Sequence, residues 1–223
     1  MRALASLVIA VVFACSSALA QTTTNAPSPT APATPPDAAP EPDAKAWSFS
    51  LATYGYVVPE SENYVQPTLT ADRGWLHLEA RYNYEALDTG SAWVGYNFGG
   101  GEQLAWEFTP MVAGVFGRSA GVAPGYKGSV NWWKLALYSE GEHVFDTADS
   151  SNSFSYIWSE LTLAPLAWFR FGFATQRTYA QSEHDIQDGA LVSFSHKRVD
   201  VSAYVFETDD DRPTFAIAVG LRF

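Results

Sequence analysis

Cysteine is almost absent from this chain: Cys15 is the single thiol, and it lies near the N-terminus. The body of the sequence therefore has no disulfide framework and no cysteine-based metal or redox site. Positive charge is also scarce. Thirteen Lys and Arg stand against 24 Asp and Glu, a formal charge of −11, which argues against nucleic acid or an anionic partner as a general target. No stretch approaches 18 consecutive apolar residues, so helical membrane spans are excluded.

What is present begins at the N-terminus. Met1-Arg2 is a short positive start, Leu4 to Ala14 is too short an apolar run to span a bilayer, and Ala18-Leu19-Ala20 precedes Gln21 as a small-residue cleavage site. Residues 1–20 read as a secretory signal peptide. A competing lipoprotein reading, with Cys15 lipidated, is disfavoured by bulky Phe13. Cleavage after Ala20 leaves 12 basic against 24 acidic residues and no cysteine. Residues 21–45 hold seven of the thirteen prolines among Ala and Thr. Such a segment has too little apolar bulk to offset chain entropy, so it reads as a disordered periplasmic tether, with contact to peptidoglycan or a periplasmic partner as the sharper alternative.

Residues 46–223 read as one domain built from alternating segments. Strands are expected near 46–57, 63–71, 75–85, 91–99, 103–117, 121–130, 133–145, 153–163, 168–179, 188–197, 199–207 and 213–223. In WLHLEARYNY, Leu76, Leu78, Ala80, Tyr82 and Tyr84 alternate with His77, Glu79, Arg81 and Asn83. In AWFRFGFATQRT, Phe169, Phe171 and Phe173 alternate with Arg170, Gly172 and Ala174. Tight connections such as Asp72-Arg73-Gly74, Gly99-Gly100-Gly101, Ala164-Pro165-Leu166 and Lys197-Arg198 fall on one side. More polar, usually longer ones such as PESE at 59–62 and DTADSSNS at 146–153 fall on the other. The mean hydropathy of −0.08 fits this layout, because a barrel hides its membrane signal in alternation.

The last eleven residues, PTFAIAVGLRF, carry a resemblance. Phe215, Ile217, Val219, Leu221 and Phe223 share one strand face, opposite Ala216, Ala218, Gly220 and Arg222. A terminal amphipathic strand ending in Phe resembles the last strand of bacterial outer-membrane β-barrels. The fold class is therefore all-β: a transmembrane antiparallel up-and-down barrel of about twelve strands, within a range of eight to fourteen. The resemblance implies a bacterial outer-membrane location, with outer-membrane lipid around the wall. It also implies an assembly machinery that reads Phe223.

Charge near the bilayer midplane costs up to ~2–4 kcal/mol on a lipid face, so the polar set points inward. The expected lumen residues are His77, Glu79, Arg81, Glu107, Lys134, Glu160, Arg170 and Arg222, with a cross-lumen pair such as Glu79–Arg170. Trp47, Trp75, Trp133 and Trp168 stand at strand starts and, with Phe223, form an expected girdle at the inner interface. An acidic outer rim is expected from Glu60, Glu62, Asp88, Glu140, Glu142, Asp146, Asp149, Glu183, Asp185, Asp188 and Asp209 to Asp211, against Arg118, Lys127 and Arg212. It would favour cations and could loosely hold divalent ions, although Glu207-Thr208-Asp209-Asp210-Asp211 lacks a calcium-loop spacing. No cofactor and no defined metal site are expected.

Three functions compete. The favoured one is a small passive channel for cations or small polar solutes. The alternative is a closed structural or surface-interaction barrel plugged by ion pairs. A lipid hydrolase is the weakest: it would use His143, oriented by Glu142 or Asp146, with Ser153 or Ser155 across one hairpin.

Overall fold

Alternating side chains impose a two-faced ribbon, and a ribbon with an apolar outer face removes its edges by closing on itself. The computed structural model describes residues 46–59, 62–181, 184–207 and 213–223. The signal peptide, the tether and Cys15 lie outside the described residues, as do Glu60, Glu183 and Asp209 to Arg212.

The strand segments are β1 (Ser48–Val57), β2 (Tyr64–Arg73), β3 (Leu76–Tyr82), β4 (Thr89–Tyr96), β5 (Phe98–Gly100), β6 (Leu104–Gly117) and β7 (Gly121–Trp132). They continue as β8 (Leu135–Asp146), β9 (Phe154–Leu166), β10 (Phe169–Ala180), β11 (His184–His196), β12 (Val199–Phe206) and β13 (Thr214–Arg222). Every neighbour pair is antiparallel. β1 joins β13, and β4 joins β6, so the sheet is a closed up-and-down barrel. β4 and β5 both pair with β6 and are separated only at Asn97, so they form one broken stave. Thirteen segments thus make twelve staves. The expected single strand at 91–99 is corrected to this interrupted pair.

Two- and three-residue turns join strands at the end that carries both chain ends of the barrel, and the far-end connections run from three residues, as at 118–120, to seven, as at 147–153. The Lys197-Arg198 turn falls where the sequence suggests, and the other tight turns sit one to three residues later. β9 runs through Pro165 to Leu166, and the turn falls on Ala167-Trp168. Gly100 is still strand, and the turn begins at Gly101. Gly101 has φ +87°, and an added Cβ would stand 2.0 Å from the Leu104 carbonyl oxygen, so only glycine fits there.

The outer wall presents Leu78, Val94, Phe108, Val112, Leu137, Leu161, Phe171, Phe173, Val192, Phe194 and Phe215 as exposed apolar side chains. On a water-soluble molecule such a belt would be a liability; around a closed barrel it is the lipid-facing surface. Buried side chains sit inside the barrel in two groups. Tyr56, Trp158, Ala174, Leu191, Tyr204, Phe206, Ala216 and Ala218 form one. Trp93, Met111, Ala113, Val115, Ala123 and Val144 form the other.

Candidate functional site

β3 turns His77, Glu79 and Arg81 to the interior, because its even positions Leu76, Leu78 and Tyr82 take the outer face. β8 turns Glu140 and Glu142 inward opposite Leu135 and Leu137, and β7 adds Lys127. These residues meet in mid-lumen. Arg81 is hydrogen-bonded through Nε to Glu79 and through Nη1 to Glu142 Oε2 at 2.8 Å, and its Nη2 lies 3.9 Å from Glu140. Lys127 pairs with Glu79, and its Nζ lies 3.6 Å from Glu140. The guanidinium also stands 4.1 Å from the Tyr84 ring centroid and 4.5 Å from that of Trp93. The side chains of Glu79, Arg81 and Glu142 are 0%, 3% and 2% exposed. A charge so enclosed is tolerable only because each is paired and hydrogen-bonded.

The bridge reaches from one wall to another. Tyr84 and Tyr138 donate to Glu140, the latter at 2.7 Å. His77 Nδ1 lies 2.8 Å from Asp72 Oδ1, which also accepts from Asn97 Nδ2 at 2.8 Å. Next to the bridge, Ser91 donates to Glu85 and accepts from Trp93 Nε1 at 2.8 Å. The other half of the interior is aromatic. Tyr54 of β1 packs edge-on against Trp158 of β9, at 5.9 Å between centroids, and lies 6.0 Å from Tyr204 of β12. Glu160 accepts from Trp158 Nε1 at 3.0 Å and from Tyr204 Oη at 2.8 Å.

The expected lumen residues divide by depth. His77, Glu79, Arg81 and Glu160 are buried inside, and Arg170 points inward on β10. Glu107 keeps the inward parity of β6 but is exposed at the terminal end. It lines a hollow of about 210 Å³ with Gly99, Gly100, Gly101, Trp106 and Asn131. Arg222 is half-buried at the same end, 3.6 Å from Asp200. Lys134 is not in the lumen. It sits in the β7–β8 turn, where Nζ donates to the Pro165 carbonyl at 3.0 Å and lies over the Trp133 ring.

Three residues expected at the rim belong to the bridge instead: Glu140, Glu142 and Lys127. Extending the Leu135–Leu137 alternation along β8 identifies both glutamates; the glycines of β7 obscure the parity of Lys127. Glu79 pairs with Arg81 and Lys127, which replaces the expected Glu79–Arg170 pair. Tyr84 was expected on the lipid face, but Asn83 adopts φ 57°, ends β3 and turns Tyr84 inward.

All five expected girdle residues are exposed at the terminal end, from Trp47 at 41% to Trp133 at 78%. Trp75, Trp133 and Trp168 occupy the turns just before β3, β8 and β10. Phe223 stacks on Phe49 at 5.9 Å, and Phe49 stacks on Trp47.

The hydrolase geometry is half met. His143 Nδ1 and Ser155 Oγ lie 2.8 Å apart on the outer wall. Glu142 faces the interior and pairs with Arg81, so it cannot orient the imidazole. Ser153 Oγ instead accepts from the Asp146 backbone N–H at 3.1 Å. A triad needs nucleophile, base and orienter within reach, and His143 and Ser155 lack the third member proposed for them.

At the far end a cavity of about 370 Å³ opens above the aromatic half, lined by Tyr56, Val58, Glu62, Tyr64, Leu87, Gln176, Gln187 and Thr214.

No protein-family model matches the chain, and neither does any curated protein. Among the solved structures similar to it are two porin structures. One is described as "KdgM porin", with a TM-score of 0.56 and 12% identity over 78% of this chain and 99% of that one. The other is "KdgM porin in complex with disordered oligogalacturonate", with a TM-score of 0.56 and 11% identity over the same shares. At such identity the likeness concerns fold. With its closed twelve-stave wall, apolar belt and polar interior, the chain has the fold of the outer-membrane β-barrels.

Proposed function

We propose that this chain is a narrow outer-membrane channel for small polar solutes with a preference for cations, its barrel ends turned to the periplasm. The bridge across the lumen supports this most directly. Glu79, Glu140 and Glu142 outnumber Arg81 and Lys127, so the interior carries excess carboxylate at the level of the bridge. Glu85 Oε2 and Glu142 Oε1 are buried with no hydrogen-bond partner among the described residues, so the negative charge here is not fully offset by donors. A hydrophobic filling would close a barrel of this size without the desolvation cost that these ions carry. The porin fold of the similar structures agrees with a channel for small solutes. A polyanion such as oligogalacturonate does not suit an interior with excess carboxylate.

Planar-bilayer recording tests the reading. The wild-type barrel is expected to give small steps with a cation-positive selectivity. Glu140→Gln with Glu142→Gln should lower that selectivity while leaving the steps. Anion preference in the wild type would refute the cation reading. A closed barrel is the second reading, favoured by the enclosure of Arg81. It predicts no steps in the wild type but steps once Arg81 is replaced by Gly.

A further inference from the structure

We propose that the far-end cavity is a binding vestibule for an uncharged saccharide of one or two rings. Its wall carries an aromatic stack: Tyr56 and Tyr64 lie 4.8 Å apart between centroids at an interplanar angle of 11°, with Tyr56 buried and Tyr64 half-buried. The outer ring of such a stack, Tyr64, offers one flat face to a ligand. That suits the flat C–H face of a pyranose, whereas a cage for a quaternary ammonium needs rings set at angles around it.

The polar groups are aligned beforehand. Tyr156 Oη donates to Gln176 Oε1 at 3.3 Å, Gln176 Nε2 donates to Gln187 Oε1 at 2.5 Å, and Gln187 Nε2 donates to Asp185 Oδ2 at 2.9 Å. This one-directional chain fixes which end of each amide is nitrogen. Each amide nitrogen keeps a second N–H, and each amide oxygen a further lone pair. Glu62 and Thr214 add an acceptor and a hydroxyl. A set of paired donors and acceptors around a ring-sized apolar plane matches vicinal hydroxyls.

Charge narrows the ligand further. The lining contains one carboxylate and no Lys, Arg or His among the described residues, so an acidic sugar would find repulsion and no counter-ion. The volume of about 370 Å³ lies at the small end of ligand sites, enough for one ring or two. All lining side chains come from the outer thirds of staves or from far-end loops, so the site stands above the bridge and apart from it.

The inference deepens the channel reading by naming a solute class at its mouth, but binding is measured without a bilayer. Full-length barrel folded in detergent is titrated calorimetrically with D-glucose and maltose, and with glucuronate and choline as comparators. Saturable binding of glucose or maltose is expected, with glucuronate at least about tenfold weaker and choline inert. Tyr64→Ala should weaken binding about tenfold, whereas Tyr64→Phe keeps the platform and the affinity. Should Tyr64→Ala fail to fold by heat-modifiable migration, Gln187→Leu serves, with a loss of similar size. No saturable sugar binding, choline binding in its place, or full affinity in the folded Tyr64→Ala or Gln187→Leu barrel would overturn the site. Sugar binding without conductance would overturn the channel and leave the vestibule standing.

Discussion

Arg81 is the residue on which the interior depends. Its guanidinium holds Glu79 and Glu142 and lies between Tyr84 and Trp93. Replacing it with Met is expected to destabilise the folded barrel by about 3–5 kcal/mol, because buried Glu142 loses its cationic partner and Glu79 keeps only Lys127. Adding Glu79→Gln and Glu142→Gln should recover most of that loss, since neutral amides no longer need the cation. Reversible unfolding in urea with lipid present measures both. A different cost applies one residue apart on β10. Phe171→Arg puts a charge on the wall, an expected ~2–4 kcal/mol near the midplane. A cysteine at 171 should be shielded by lipid, and one at 170 should react only with reagents that enter the lumen. The opposite labelling pattern would invert the assigned faces. At this scale the sequence revealed which face each strand residue takes, but not its partner. Alternation shows that Glu79 and Arg81 point inward. It is silent on Lys127 and Glu142 reaching them from other staves, because those contacts depend on barrel diameter and stagger.

Strands were the most readable elements, since period-two patterning and turn residues are local properties. The departures have local causes of their own. Asn83 in the left-handed region shortens β3, and its side-chain Oδ1 accepts from the Asp88 backbone N–H at 2.8 Å, shaping the 83–88 connection. Asn97 breaks one stave where its side chain is drawn to Asp72 and Thr109. Neither event changes hydrophobic pattern, so neither shows in it. The final strand carries its own expectation. Phe223 stacks on Phe49 at the end that carries both chain ends, and deleting it should lower the yield of assembled barrel more than deleting Ser151 of the far-end 3-10 turn. Equal yields of heat-modifiable product would remove Phe223 from an assembly role.

As a whole, the molecule should behave as one cooperative unit, because staves distant around the ring are tied through the bridge and the aromatic half. Unheated samples on a denaturing gel are expected to migrate faster than boiled ones, and Arg81→Met should lower the temperature of that conversion. Phe49 and Phe223 exchange both backbone hydrogen bonds, at 3.1 and 3.0 Å, so the seam between first and last staves is zipped to the terminal residue. The molecule is in effect a ring that happens to be cut there. Along that seam the described residues leave no spare row of amides onto which another chain could add a strand. A version that joins 223 to 46 by a short linker and opens at a far-end loop should refold to the same barrel.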